Sequence, residues 1–176
     1  RTPRPAGDGG NTFRSVAFGS GTFVIGGSND IDTEPVLFSS THGTGWTSRD
    51  PGVNGPIREL VFENGEFMAC GGPNSLDSGF VITSSNGTTW TPRTTTLSLP
   101  PYSITFGLGK YYAMTPGVPS SVFSSEDGTS WTGGTVPALQ NHRQIRFFNG
   151  RLVSFDLGSF FPDSTFRTTT HGTNWE

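Results

Sequence analysis

The four tryptophans of this 176-residue chain are spaced almost evenly, and each ends a similar run of Ser, Thr and Gly. The four positions are Trp46, Trp90, Trp131 and Trp175. Their spacings are 44, 41 and 44 residues, and a glycine stands three residues before each of them. A nearly fixed period of this length is the signature of a repeat architecture, in which one supersecondary unit recurs along the chain. The sequence therefore predicts four copies of one unit.

A second landmark precedes each tryptophan, a Phe that is followed three residues later by Gly. The four copies of this landmark begin at Phe18, Phe62, Phe106 and Phe147. A short apolar run leads to the Phe, a tight turn such as Asn64-Gly65 follows, and a second apolar run begins. Asn-Gly between apolar runs is a strong hairpin signal, because the turn needs a positive φ at both central residues. Each copy is therefore predicted to begin with a β-hairpin.

The rest of each copy adds two more strands. A third apolar run follows a variable loop, and the Ser/Thr turn then leads through the Trp into a short fourth run. Four antiparallel strands in roughly 40–45 residues form the blade of a β-propeller. We predict an all-β, four-bladed β-propeller of four-stranded antiparallel blades in a single domain. The blade repeats are approximately residues 13–56, 57–100, 101–142 and 143–176.

The two ends of the chain suggest how the ring closes. The last copy stops at Trp175-Glu176, where its fourth strand should begin, and the first residues resemble the segment 91–93 that follows the second tryptophan. We therefore predict that residues 1–5 complete the last blade as its outer strand. Ring closure would remove the exposed sheet edges that invite aggregation. The alternatives are a piece of a longer ring, or a half-ring that pairs with a second chain.

Charge and composition exclude several classes of partner. The net charge is −3, Lys110 is the single lysine, and the chain has no basic run, so nucleic acid is not an expected partner. No apolar stretch approaches the roughly 20 residues that span a bilayer, so membrane insertion is not expected. The lone cysteine, Cys70, is predicted to be a small buried hydrophobe. The histidines lack partners for a metal site, and no metal or cofactor is predicted.

The Ser/Thr turns carry a family resemblance. Residues 124–131 resemble the Asp-box, the Ser-x-Asp-x-Gly-x-Thr-Trp hairpin of sialidase-type (BNR) propellers. The other copies are looser, because Thr41, Ser85 and Thr170 stand at the Asp position and Glu126 stands there even in the third copy. Similar repeats occur in phage tail and virion proteins and in bacterial surface or secreted proteins. The resemblance implies that these turns are structural and lie on the face away from the binding site.

The opposite face is therefore where a binding site is predicted. One residue stands four positions before each landmark Phe, and by repeat symmetry the four approach the mouth of the central channel together. They are Arg14, Arg58, Tyr102 and Arg143. Three guanidiniums around one axis could hold a carboxylate, sulfate or phosphate through paired N–H donors. Alternatively, each Arg pairs with an acid of a neighbouring blade, such as Glu59, and caps the core.

Loop residues on the same face complete the predicted ligand-binding set. Asp30 and Asp32 lie in an acidic loop whose alternating oxygens suit Ca²⁺, but the loop lacks the spacing and glycine of an EF-hand, which favours a solvated turn. His142 lies beside one of the arginines. Phe160 and Phe161 form an aromatic pair in the last loop, where they are expected to contact a sugar face, a protein partner or their own blade.

These observations predict a non-enzymatic, extracellular or virion-surface module that attaches to a glycan or protein receptor, with neighbouring subunits of a larger assembly as further partners. The alternatives are a purely structural domain of a fibre or surface assembly and, less favoured, a sialidase-like glycoside hydrolase fragment. Glycoside hydrolysis needs two carboxylates about 5–10 Å apart. The acids show no such pairing in the sequence, and four blades leave little room for a deep site, so the chain is not expected to be an enzyme.

Overall fold

The computed structural model describes residues 10–73, 78–93, 97, 99–156 and 166–176. The described residues form four antiparallel sheets and no helix, arranged as a four-bladed β-propeller. The prediction of an all-β, four-bladed propeller is thus confirmed. No described segment is a helix long and apolar enough to cross a membrane.

Each blade contributes its strands in chain order, from the innermost strand to the outermost. The first blade consists of β1 (Thr12–Gly19), β2 (Thr22–Ser28), β3 (Pro35–Ser40) and β4 (Thr47–Ser48). The second consists of β5 (Ile57–Glu63), β6 (Glu66–Gly71), β7 (Phe80–Ser84) and β8 (Thr91–Arg93). The third consists of β9 (Ser103–Gly107), β10 (Lys110–Thr115), β11 (Ser121–Ser125) and β12 (Thr132–Thr135). The fourth consists of β13 (His142–Phe148), β14 (Arg151–Asp156) and β15 (Phe166–Thr169).

Glu176 pairs with the third strand of the fourth blade, where an outer strand would lie. Glu176 and Thr168 exchange two backbone hydrogen bonds, each 3.0 Å long. This pairing matches that of Thr132 with Ser124 in the third blade. The predicted continuation of this strand, residues 1–5, lies outside the described residues, and ring closure through it stays a prediction.

The hairpins at the start of each blade have the backbone that the sequence predicts. Asn64 and Gly65 have φ values of 53° and 77°, and Asn149 and Gly150 have values of 46° and 77°. Both residues of each turn therefore lie in the left-handed region, which Asn and Gly tolerate better than other residues.

The Ser/Thr turns are built by side chains that bond their own backbone. Ser125 Oγ accepts a hydrogen bond from Gly128 N at 2.9 Å, and Asp127 Oδ1 accepts bonds from the backbone N–H groups of Thr129 and Ser130. These donors hold the pKa of Asp127 well below its usual range. Asn86 makes the same contacts in the second blade. In the second and third blades the residue beside the glycine therefore anchors the turn, one step later than the Asp of the family pattern.

Three apolar clusters lie between successive blades, and each joins the face of one blade to the next. Leu37 of the first blade packs with Phe67 and Trp90 of the second, and Met68 of the second packs with Trp131 of the third. The third cluster joins the third blade to the fourth, with Trp175 at its edge. Trp90, Trp131 and Trp175 thus pack between neighbouring blades, as expected, whereas Trp46 is half-buried and belongs to none of these clusters. Cys70 is fully buried in the second cluster, and burial raises the pKa of its thiol.

Polar side chains of the innermost strands join the blades along the channel. Ser15 Oγ bonds to both backbone groups of Leu60 at 3.0 Å. Ser103, at the same repeat position of the third blade, accepts a bond from Ile145 N at 3.0 Å. Each of these side chains therefore clamps its own blade to the innermost strand of the next blade.

Candidate functional site

The three arginines of the predicted mouth lie at β-bulges. The pairing of the two inner strands shifts register at Arg14, Arg58 and Arg143, so each arginine is the extra residue of its strand. Tyr102 takes the corresponding place in the third blade, immediately before β9, where its N–H donates to Met114 O at 2.8 Å. Bulges re-aim a side chain and are common next to active sites. The fold therefore directs the three arginines differently from the rest of their strands.

Tyr102 brings two of the arginines together. The guanidinium carbon of Arg58 lies 4.1 Å from the centre of the Tyr102 ring, and that of Arg143 lies 5.7 Å from it. Both distances are within the range of a cation–π interaction. Arg143 Nε is buried and has no hydrogen-bond partner among the described residues. We call Arg58, Tyr102 and Arg143 the mouth cluster.

Arg14 is engaged within its own blade. Its guanidinium donates to Ser28 Oγ at 2.6 Å and to Asp32 Oδ1 at 2.9 Å. The loop that carries Asp32 is ordered by Asn29, whose side-chain oxygen accepts bonds from the N–H groups of Thr33 and Glu34. Asp32 has a φ of 58°, an uncommon value for a residue other than glycine. The loop therefore holds the Asp32 carboxylate beside Arg14, and Asp30, two residues earlier on the same loop, is exposed to solvent.

His142 is placed beneath the mouth and has no exposed surface. Its Nδ1 lies 2.8 Å from Ser154 Oγ, so it ties β13 to β14. Burial lowers the pKa of His142, although the nearby Asp156 carboxylate opposes that shift. Phe160 and Phe161 lie outside the described residues. Within the part of the chain that is described, no group of three or more His, Cys, Asp or Glu side chains is placed to hold a metal ion.

A second polar network, which the sequence did not predict, crosses three blades inside the channel. Glu59 of the second blade accepts hydrogen bonds from Ile104 N and Ser103 Oγ of the third blade, at 2.8 and 2.6 Å. Arg146 of the fourth blade donates to both oxygens of the same carboxylate. The alternative prediction was that each mouth arginine pairs with an acid of a neighbouring blade, such as Glu59. Glu59 is paired, but its partner is Arg146. The sequence did carry one signal of this network, because Glu59 is a charged residue next to the apolar residues of β5.

Glu63 lies at the far end of the same strand. Its carboxylate accepts hydrogen bonds from Phe106 N and Thr105 Oγ1. Burial raises the pKa of Glu63, and the nearby Glu59 charge adds to that shift, whereas the two hydrogen bonds and Arg146 oppose it. Glu59 and Glu63 both therefore bond the innermost strand of the third blade.

A cleft of about 420 Å³ lies away from the mouth, between the outer strands of the third blade and the last Ser/Thr turn. Its lining includes Lys110, Tyr112 and His171. Lys110 is paired with Glu126 at 3.1 Å. The cleft has no acid in its lining, so the mouth is the better candidate for a site with charged chemistry.

No protein-family model matches the chain, and no curated protein is similar to it in sequence. The chain is similar to solved β-propellers. YCF48 bound to a D1 peptide matches 94% of this chain with 19% identity and a TM-score of 0.63, and this chain spans about half of YCF48, 52%. Zg3597, a family 117 glycoside hydrolase of the marine bacterium Zobellia galactanivorans, matches 99% of this chain and 71% of its own, with 13% identity and a TM-score of 0.63. The arabinanase Arb43A of Bacillus subtilis matches 95% of this chain over 76% of its own length, with 11% identity and a TM-score of 0.57.

These comparisons overturn the prediction of a non-enzymatic attachment module, because several of the similar propellers are glycoside hydrolases. The prediction that the chain is not an enzyme was wrong for the same reason. It rested on the lack of paired acids in the sequence. A repeat pattern does not reveal where the non-repeated loops place their acids, as the pairing of Asp32 with Arg14 demonstrates. At 11–19% identity the likeness shows the propeller fold and not a particular reaction.

Proposed function

We propose that this chain is a carbohydrate-active propeller that hydrolyses a glycan bearing an anionic group. The proposal is carried by the mouth cluster, in which Arg58 and Arg143 lie against Tyr102. Guanidiniums bind carboxylate and sulfate groups through charge-assisted hydrogen bonds. Arg58 and Arg143 are both half-buried, so part of each side chain is accessible to an anionic ligand.

In this proposal, Asp30 and Asp32 supply the carboxylates for hydrolysis. Hydrolysis of a glycosidic bond needs one acid that protonates the leaving oxygen and one carboxylate that activates water or attacks the sugar. Asp32 is fixed by Arg14, and Asp30 is exposed on the same loop. Glu59 does not suit this role because it is buried within the channel network. The glycoside hydrolases among the similar structures support the reaction class.

The test is an assay for reducing ends released from a panel of uronate-containing, sulfated and neutral glycans. We expect release from an anionic glycan, a rise in KM of about tenfold or more in Arg143→Gln, and loss of turnover with retained binding in Asp32→Asn. Arg151→Gln is the matched control, because Arg151 lies at a hairpin turn on the other end of the propeller. Binding without release by the wild-type chain, or no effect of Arg143→Gln, would overturn the proposal.

The assignment of the Ser/Thr turns to the Asp-box class belongs to the same proposal. It is supported by the hydrogen bonds that Asp127 accepts from two successive backbone N–H groups and by the matching bonds of Asn86. In this proposal the turns are structural supports on the face away from the mouth, and they take no part in catalysis.

A further inference from the structure

Each of the three seams between blades buries the same apolar position of an innermost strand, and among the described residues no seam precedes the first blade. The innermost strand of each later blade buries an apolar residue two positions before its landmark Phe. These residues, Leu60, Ile104 and Ile145, are 2%, 0% and 0% exposed. Val16 is the equivalent residue of the first blade, and it is 64% exposed. Phe18 and Phe13 on the same strand are also exposed.

The fourth blade has the opposite exposed face, the one that would pack against a following blade. On the third strands of the first three blades, the residue that faces the next blade is buried: Leu37, Val81 and Val122. The equivalent Phe166 of the fourth blade is 70% exposed. Phe148, at the end of β13, is exposed as well. Among the described residues β1 packs on β5, β5 on β9 and β9 on β13, but no comparable packing joins β13 to β1.

The two end faces carry the positions that form the two halves of the existing seams. Gly19 and Gly107 leave the space in which the Phe62 and Phe147 rings of the next blade lie, since a Cβ there would meet those rings at 2.1 and 2.3 Å. The second seam lacks this glycine, because Glu63 takes the position there and accepts a bond from Phe106 N. Phe148 takes it in the last blade, so the new seam would resemble the second seam and not the first or third. Gln144 occupies the position at which Ser15 and Ser103 clamp the next blade.

We propose that two copies of this chain associate through these faces, with the first blade of each copy packed on the fourth blade of the other. The product is a ring of eight blades with two new seams. Val16 and Phe18 stand two residues apart on β1 and so share one face, and an exposed apolar patch of this kind marks an interaction site in a soluble protein. A second copy is the occupant that satisfies both faces at once, because one chain carries both halves of the seam. Burying Val16, Phe18, Phe148 and Phe166 supplies the driving force.

The test is the mass of the full chain in solution, measured by light scattering and sedimentation at micromolar concentration. We expect twice the mass of one chain for the wild-type protein. Val16→Lys and Phe166→Asp should each be monomeric, because each places a charge in both seams. Both residues are exposed in the single chain, so the variants should fold, which circular dichroism verifies. Val118→Lys is the matched control, since Val118 is also 70% exposed but lies in a loop outside the faces.

Mixing the two variants gives the sharper test. A dimer of one Val16→Lys chain and one Phe166→Asp chain has one seam with both wild-type residues. In its other seam the introduced Lys faces the introduced Asp. An equimolar mixture of the two variants should therefore have the mass of a dimer. A wild-type chain that is monomeric, or a dimer that survives both variants, would overturn the proposal. A monomeric wild-type chain would favour closure within one chain or further blades from a longer polypeptide. A dimer that survives both variants would place the dimer interface elsewhere.

Discussion

At the scale of single residues, Glu63 has a raised pKa because it is partly buried. It lies partly buried between the second and third blades, where its carboxylate contacts the backbone of β9. Burial raises its pKa, so the folded state binds a proton at Glu63 more tightly than the unfolded state does. A group of this kind stabilises the fold below its unfolded pKa, near 4.5, and that contribution is lost as the pH rises through the folded value.

We therefore expect Glu63→Gln to become increasingly favourable relative to the wild-type chain as the pH rises above about 4.5. The amide oxygen of Gln still accepts the bond from Phe106 N but carries no charge. The measurement is the free energy of unfolding in urea at several pH values between 4.5 and 7.5. Glu34→Gln is the control, because Glu34 is exposed. A difference between Glu63→Gln and wild type that does not change with pH would contradict this account.

At the scale of strands and turns, most of the architecture follows from the repeat. Gly and Asn at fixed places predict the hairpins, and their φ values agree. The alignment on the landmark Phe also predicted that Arg58, Tyr102 and Arg143 meet, because equivalent residues of neighbouring blades approach a common axis. Repeat symmetry did not predict that Arg14 departs from this cluster. Its partner Asp32 lies in a loop whose sequence is not repeated, and so the pairing depends on local loop geometry.

The contacts between blades could not be predicted from the sequence either, because they depend on how closely two sheets approach each other. Gly107 is an example, since it ends β9 and looks in the sequence like a turn residue. In the structure it lies beneath the Phe147 ring of the next blade. The pairing of Glu59 with Arg146 joins residues 87 positions apart and was missed for the same reason.

Gly107→Ala tests the close approach of the third and fourth blades. The new Cβ would lie 2.3 Å from Cγ and 2.7 Å from Cβ of Phe147, so the ring cannot escape by rotating its far end. We expect a loss of about 1–3 kcal/mol in the free energy of unfolding, as for other overpacked sites. Gly134→Ala is the matched control, because a Cβ there meets nothing within 4 Å. Equal stabilities of the two variants in urea denaturation would contradict the proposed contact.

At the scale of the whole molecule, the network of Glu59, Ser103 and Arg146 links three blades through the channel. Glu59 is 4% exposed at its side chain, and its carboxylate is satisfied by Arg146, Ser103 Oγ and Ile104 N. Burying a charge is costly unless it is paired and hydrogen-bonded. Removal of the cation would leave a charged carboxylate in the channel, whereas removal of the carboxylate leaves an arginine that is 29% exposed and able to reach water.

This asymmetry gives a prediction about the order of three variants. Arg146→Met should cost about 3 kcal/mol of unfolding free energy, because Glu59 stays buried without its partner. Glu59→Gln should cost less, and the Glu59→Gln/Arg146→Met double variant should be more stable than Arg146→Met alone. Arg93→Met is the control, since its pair with Glu66 is partly exposed and should contribute less than about 1 kcal/mol. Urea denaturation of the four variants separates these cases. If Arg146→Met proved no more costly than Arg93→Met, the channel pair would not be what holds the second and fourth blades together.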